Sequence, residues 1–285
     1  MPTRSAVLLV LLGALWGGSF VFMRVAVPAL GPVALSFVRV ALAAAILLAV
    51  AGAQRGFPDV RRRWRQFAVV GAVNSALPFL LFSYAAQHVT VSTLAILNAT
   101  SPFFGAVVAA LWLGEPLTRR KLAGLALGIT GVAVLAGWKP DALAGATGLA
   151  MSACLGGALC YALAGAYAKR RLAAVPSFAV AAASQLFAAI ALAPALPFAG
   201  VPGPVTPLVV ANVVALAAAS TAVAYLIYFK LIADIGPARA LTVTFLIPLF
   251  GALWGFVFLG EALTADMLVG GALVVGGTVL ALRGK

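Results

Sequence analysis

The spacing of apolar runs settles this chain's surroundings before anything else is read. Between residues 6 and 27 a single charge, Arg24, interrupts the apolar sequence. Stretches of about twenty such residues recur to the C-terminus, the length a helix needs to cross hydrocarbon. They show no strand-like alternation, and helices satisfy their own backbone polar groups, as lipid requires. Only 9% of residues are charged, against 64% hydrophobic. A water-facing domain uses about 25% charged residues, so most of the outer surface is expected to meet lipid.

Hydropathy and breaker residues predict ten spans, at 6–27, 33–52, 67–86, 92–113, 121–137, 147–168, 176–197, 208–229, 239–259 and 266–283. The fold class expected is an all-α polytopic membrane protein. The first run is too long for the apolar core of a signal peptide, so it is expected to remain as a span. Cys154 and Cys160 share one apolar segment and lack metal-site partners, so they read as packing residues.

Charge placement tests the span count. With the N-terminus in the cytoplasm, Arg4, Arg55, Arg61, Arg62, Arg63, Arg65, Arg119, Arg120, Lys121, Lys169, Arg170, Arg171, Lys230, Arg239, Arg283 and Lys285 fall on the cytoplasmic side. Only Lys139 falls opposite. That is the asymmetry expected of cytoplasmic loops, and it places both termini in the cytoplasm. It also accounts for the formal net charge of +13 without a nucleic-acid partner.

The chain repeats itself. Ser101-Pro-Phe-Phe-Gly-Ala running to Leu113-Gly-Glu-Pro-Leu-Thr118 resembles Ile247-Pro-Leu-Phe-Gly-Ala running to Leu259-Gly-Glu-Ala-Leu-Thr264. Without a gap, Pro102 matches Pro248, Gly105 matches Gly251, Glu115 matches Glu261, and the register continues through Gly124 with Gly270 and Gly131 with Gly277. Two five-helix repeats are expected, at 1–138 and 139–285. Five spans is an odd number, so the second repeat enters the membrane inverted, a recurring plan of secondary transporters that bind substrate near the midplane.

These residues resemble the ten-helix branch of the drug/metabolite transporter superfamily, the EamA-type permeases. Trp16-Gly17, Arg39 and the paired Pro…Leu-Gly-Glu-x-Leu-Thr hairpins carry the resemblance, which covers nearly the whole chain. It implies a multi-pass protein of the bacterial inner membrane that exports small metabolites. Most similar are the exporters of aromatic and neutral amino acids. Lipophilic drug-like compounds and other metabolites are the alternative. Small single-repeat members use a carboxylate in the first helix, where this chain has Gly13 and Ala14.

Candidate site residues follow from cost, since intramembrane polar groups are expensive. Arg24 and Arg39 lie inside spans without a carboxylate at their depth. Arg24 reads either as a gating residue or as a side chain snorkelling to the interface. Arg39 serves either structure or a substrate carboxylate, which a guanidinium binds with two parallel bonds. Trp16, Phe20 and Arg24 share one helix face. Asn74, Pro78 and Phe82 recur at four-residue spacing; Asn98, Phe79, Tyr161, Tyr225 and Thr244 complete the expected lining of a central cavity. Each asparagine could equally hold helices together. Pro78, Pro102 and Pro248 are expected to kink helices or free carbonyls. Gln185 matches Arg39, and Tyr225 matches Phe79. Glu115 and Glu261 read as hairpin-fixing residues.

An enzyme is not expected. His88 is the sole histidine, so metal chemistry lacks its ligand cluster, and no buried base or carboxylate pair is evident. No cofactor is called for. The expected partners are a small-molecule substrate and the bilayer, as monomer or homodimer. The lack of an intramembrane carboxylate favours facilitated diffusion over carboxylate-based proton exchange.

Overall fold

The structure is a computed structural model and describes residues 2–53, 60–137 and 145–283. Arg55, Lys139, Lys285 and the expected repeat boundary at 138/139 lie outside the described residues. Within them the chain is helical, with no strand. The rods are α1 (Thr3–Ala53), α2 (Val60–Ala85), α3 (Val91–Leu113), α4 (Arg119–Leu135), α5 (Gly145–Arg171), α6 (Ser177–Phe198), α7 (Pro207–Ile235), α8 (Leu241–Leu259) and α9 (Ala265–Arg283). Seven of them, all but α4 and α9, are long and apolar enough to cross a membrane by length and composition.

The first two expected spans run together as the 51-residue α1, but Gly31 breaks it at φ 69° between Pro28 and Pro32. Only glycine adopts that backbone region without steric cost. The basic cluster is placed differently from expectation. Helix α2 begins at Val60, so Arg61, Arg62, Arg63 and Arg65 lie within it instead of in a loop, with a kink at Arg63, whose φ of -119° and ψ of 22° are not helical. Arginine is a good helix former, and a polar turn can extend a spanning helix beyond the apolar run.

The duplicated Leu-Gly-Glu-x-Leu-Thr motif is a helix-to-helix connector built twice. Gly114 and Gly260 end α3 and α8 at φ 70° and 64°. The next amides reach back over the last turn, Glu115 N to Ala109 O and Glu261 N to Gly255 O, both 3.1 Å. This glycine-terminated arrangement satisfies carbonyls left open at a helix end. Thr118 and Thr264 then start α4 and α9 by accepting from Lys121 N and Met267 N, both 3.3 Å.

Helices α4 and α9 make the closest crossing. The Cα of Gly124 faces the Gly277 carbonyl, and Gly131 faces that of Gly270; a methyl group at any of these would sit within 2.8 Å of backbone. The glycine spacing is thus used inside the chain, where small residues let backbones approach. The main core joins α1, α2, α3, α5, α7 and α8 through Phe20, Met23, Phe82, Leu94, Cys154, Leu216 and Ile247. Leu111, Ile129, Leu249 and Phe258 are exposed on the outside, as a lipid-facing surface demands. Glu261 contacts Val91 at the start of α3, whereas Glu115 follows the end of α3, so the two connectors sit at opposite ends of that helix.

Candidate functional site

One face of α1 touches three different partners in turn. Trp16 tilts against Tyr228 of α7 at 5.3 Å between ring centroids. One turn on, Phe20 meets Phe82 of α2 at 5.8 Å, and Phe82 stacks on Tyr161 of α5 at 6.3 Å. Arg24 donates to the backbone carbonyl of Ala86, one turn beyond Phe82. Tyr225 stacks on Phe229 at 6.0 Å, which in turn meets Tyr228. The expected aromatic residues thus form a cluster in two packed parts, Phe20 with Phe82 and Tyr161, and Trp16 with Tyr228, Phe229 and Tyr225.

Arg39 lies beside this cluster and is 6% exposed. Its Nε donates to Thr221 Oγ1 at 3.0 Å and its Nη1 to the Met23 sulfur at 3.6 Å. The guanidinium carbon stands 3.6 Å from the centroid of the Phe79 ring, a cation–π contact that gains strength away from water. Tyr161 and Tyr225 lie within electrostatic reach. Among the described residues no carboxylate is within ion-pair distance of Arg39; the ion pairs belong to Glu115 and Asp234. A buried charge compensated only by a hydroxyl, a thioether and π faces is costly. An anion has a reason to bind there.

The partner of Arg39 reveals residues that sequence reasoning passed over. Pro102 and Pro248 are 146 residues apart, and the same offset takes Arg39 to Gln185 and Ser75 to Thr221. Gln185 Nε2 donates to Ser75 Oγ at 2.9 Å, while Arg39 donates to Thr221. Each donor thus reaches the hydroxyl that the offset assigns to the other's half. Both hydroxyls sit on widened π-helical turns, Ala72–Ala76 and Ala218–Val223, which the offset also superimposes. Such turns often mark functional positions; here Thr221 Oγ1 reaches back five residues to Leu216 O at 2.9 Å. Tyr225 lies close to Asn74 and Ser75, so Asn74 borders this network. A serine or threonine in an apolar helix is unremarkable alone, but its match to Arg39 and Gln185 through one offset was available.

Other candidates stand apart from the network. Pro102 removes the amide that would bond the Asn98 carbonyl, and Ser101 Oγ donates to that carbonyl at 2.6 Å, so it is not left free. Asn98 and Thr244 are half-buried, and Thr244 turns its hydroxyl to Leu241 O at 2.8 Å. Pro78 is buried just after the first π-turn, and Pro248 is buried after the 3-10 segment Leu241–Phe245. An apolar groove of about 690 Å³ runs along the outer face of α7 between Val205 and Ala219, away from these residues.

The glutamates of the connectors hold different partners. Both oxygens of Glu261 accept from Val91 N, at 3.0 and 2.9 Å. Glu115 pairs with Lys169 at 2.8 Å and Lys121 at 4.0 Å. The Lys169 hydrogen bond and charge hold the Glu115 carboxyl below the usual carboxylate range.

The model of the EamA-like transporter family matches the chain twice, over residues 4–137 and 148–283. A Streptantibioticus cattleyicolor protein named "Probable terminal-alkyne amino-acid exporter" is 30% identical over 283 residues, covering 96% of this chain and 92% of its own length. The uncharacterized transporter YvbV of Bacillus subtilis is 25% identical over 286 residues, covering 96% and 90%. A crystal structure of a protein with 21% sequence identity shares the fold, with a TM-score of 0.68 over 99% of this chain and 97% of that one.

Proposed function

The chain belongs to the EamA-like transporter family, and from that premise we propose that it is a secondary exporter of amino acids, including aromatic ones, in the bacterial inner membrane. The observation that carries this reading is Arg39, a buried guanidinium with no carboxylate partner among the described residues, bordered by Phe79, Tyr161 and Tyr225. A substrate carboxylate supplies the missing anion through charge-assisted hydrogen bonds, and the rings Phe82, Tyr161 and Tyr225 offer an aromatic side chain its contact surface.

Ten spans in two inverted repeats, 1–138 and 139–285, with both termini cytoplasmic, fit this function. Three features support that arrangement: the break at Gly31 divides α1 into two span-length pieces, α4 and α9 add two more, and the connectors lie at opposite ends of α3. Arg63 donates to the Arg171 carbonyl at 3.5 Å, and Lys169 pairs with Glu115, so the basic groups of α2, α4 and α5 gather at one end, as the cytoplasmic face requires. Access alternates when the halves rock about the central cluster, with Trp16, Phe20, Asn74, Asn98 and Thr244 toward the pathway, and with Arg24, Pro78, Pro102 and Pro248 at its kinks and gates.

Reconstituted protein in proteoliposomes, given a panel of amino acids, their amides and lipophilic cations, tests the reading. Amino acids should be transported and their amides poorly. Transport of lipophilic cations alone would replace amino acids by the drug-like alternative. An imposed pH gradient that leaves the initial rate unchanged fits facilitated diffusion.

A further inference from the structure

Arg39 accounts for one end of an amino acid; the structure also offers a complement for the other. Gln185 is fully buried on α6. Its Nε2 is used on Ser75, but its Oε1 has no hydrogen-bond partner. Buried polar atoms of native proteins almost always have one, and an unmade bond costs about 1–3 kcal/mol. In a lipid-embedded core no bulk water offsets that cost.

The location of this atom is informative. Ser75, which takes the amide hydrogen of Gln185, lies close to Tyr225, and Tyr225 lies within electrostatic reach of Arg39. Arg39, Tyr225, Ser75 and Gln185 therefore form a series of neighbouring polar groups. At its two ends, at positions related by the offset that matches Pro102 to Pro248, stand a group that can only donate and an oxygen that can only accept. We infer that Gln185 Oε1 accepts the ammonium group of a substrate whose carboxylate lies on Arg39, so that the pair reads a zwitterion in one orientation. This rests on the amino-acid reading above and adds to it a specificity rule: a carboxylate without an α-amino group satisfies Arg39 but leaves Gln185 unpartnered. An amine without a carboxylate meets the Arg39 cation and is repelled.

The chemistry also accounts for the difference between the matched residues. Two arginines would repel the ammonium, and two glutamines would leave the carboxylate without charge. One of each matches the substrate dipole. The Arg39–Thr221 and Gln185–Ser75 bonds join parts of opposite halves, so a ligand that engages both donors' side chains acts on the contacts that rocking must change.

The test uses full-length protein in proteoliposomes with phenylalanine and 3-phenylpropionate, which differ by the ammonium group alone. Wild-type protein should take phenylalanine with a half-saturation concentration about tenfold or more below that of 3-phenylpropionate, the scale of one hydrogen bond to a charged group. Gln185→Met, which keeps length and removes the acceptor, should raise the phenylalanine value about tenfold and leave that of 3-phenylpropionate nearly unchanged. Arg39→Gln should weaken both. Equal weakening of the two ligands by Gln185→Met would make Gln185 a packing residue and overturn the assignment while leaving the Arg39 reading in place. The wild-type comparison does not depend on the variant folding: equal handling of the two ligands also overturns it. Transport of neither would overturn the assignment together with the amino-acid reading beneath it.

Discussion

The connector at 113–118 and the connector at 259–264 have nearly the same sequence and the same backbone, yet they fasten different things. In both, a left-handed glycine ends one helix and a threonine starts the next. Glu261 reaches across to the first amide of α3, Val91 N. The residue 146 positions beyond Val91 is Pro237, which has no N–H to give. Glu115 is instead held by Lys169, whose own counterpart is Met23. A backbone motif survives duplication because its caps are local; the side-chain partner does not, because it lies on another helix. One end of α3 is thus fastened by a carboxylate on a helix N-terminus, where charge and helix dipole agree. The other is fastened by a solvent-exposed ion pair.

The largest effect that would break this comparison is all-or-none. In a background with Cys154 and Cys160 replaced by alanine, Leu263→Cys should react with an impermeant thiol reagent on intact cells. Leu117→Cys should react only after lysis. Labelling of both from the same side would end the inverted arrangement.

The asymmetry between Arg39 and Gln185 comes next. Arg39→Gln makes the two halves alike and should raise the half-saturation concentration for an amino acid by roughly tenfold to a hundredfold, with no weakening for its amide, since a hydrogen bond to a charged group is worth about 1.5–3 kcal/mol. Equal loss for acid and amide would instead make Arg39 a latch between halves.

Stability in detergent then compares the glutamates. Glu261→Ala should lower stability by about 1.5–3 kcal/mol, read as a drop in the melting temperature, whereas Glu115→Ala should cost at most about 1 kcal/mol. Val91→Pro sharpens the comparison by copying the other half. Val91 is the first helical residue after the Thr90 cap, and Thr90 is already extended at ψ 160°, so proline is tolerated there. Its cost should match that of Glu261→Ala, and the double variant should be no worse than either single one. Additive losses would show that Glu261 does not act through Val91 N.

The smallest effect is acid dependence at the Glu115 end. Because Lys169 holds the Glu115 carboxyl below its usual range, the pair's stabilisation is present above the ordinary carboxylate pKa and fades as pH falls through the lowered value. Glu115→Gln should flatten that part of the stability profile. An unchanged acid limb would remove the ion pair from the comparison.

Several features were legible without coordinates. The apolar rods, the breaks near Pro28 and Pro32, and the intramembrane arginines all follow from length and transfer cost. The helix start at Val60 was not, because an arginine-rich turn reads as loop by charge alone. Nor was the polar network at Arg39. Ser75 and Thr221 are too small and too common in membrane helices to stand out singly, and a π-turn leaves no composition signal. Trp16 rests on Tyr228, which spacing along one helix could not announce, because ring partners are set by helix crossings.

The sequence by itself determined that this chain is helical, apolar outside and duplicated inside, because burial in lipid is priced residue by residue and a repeat is a pattern of identities. Only the tertiary structure decided which hydroxyl meets Arg39, which amide meets Glu261, and that Gln185 is buried with an oxygen unpartnered. Those facts depend on the relative placement of helices more than a hundred residues apart, which no local energy fixes.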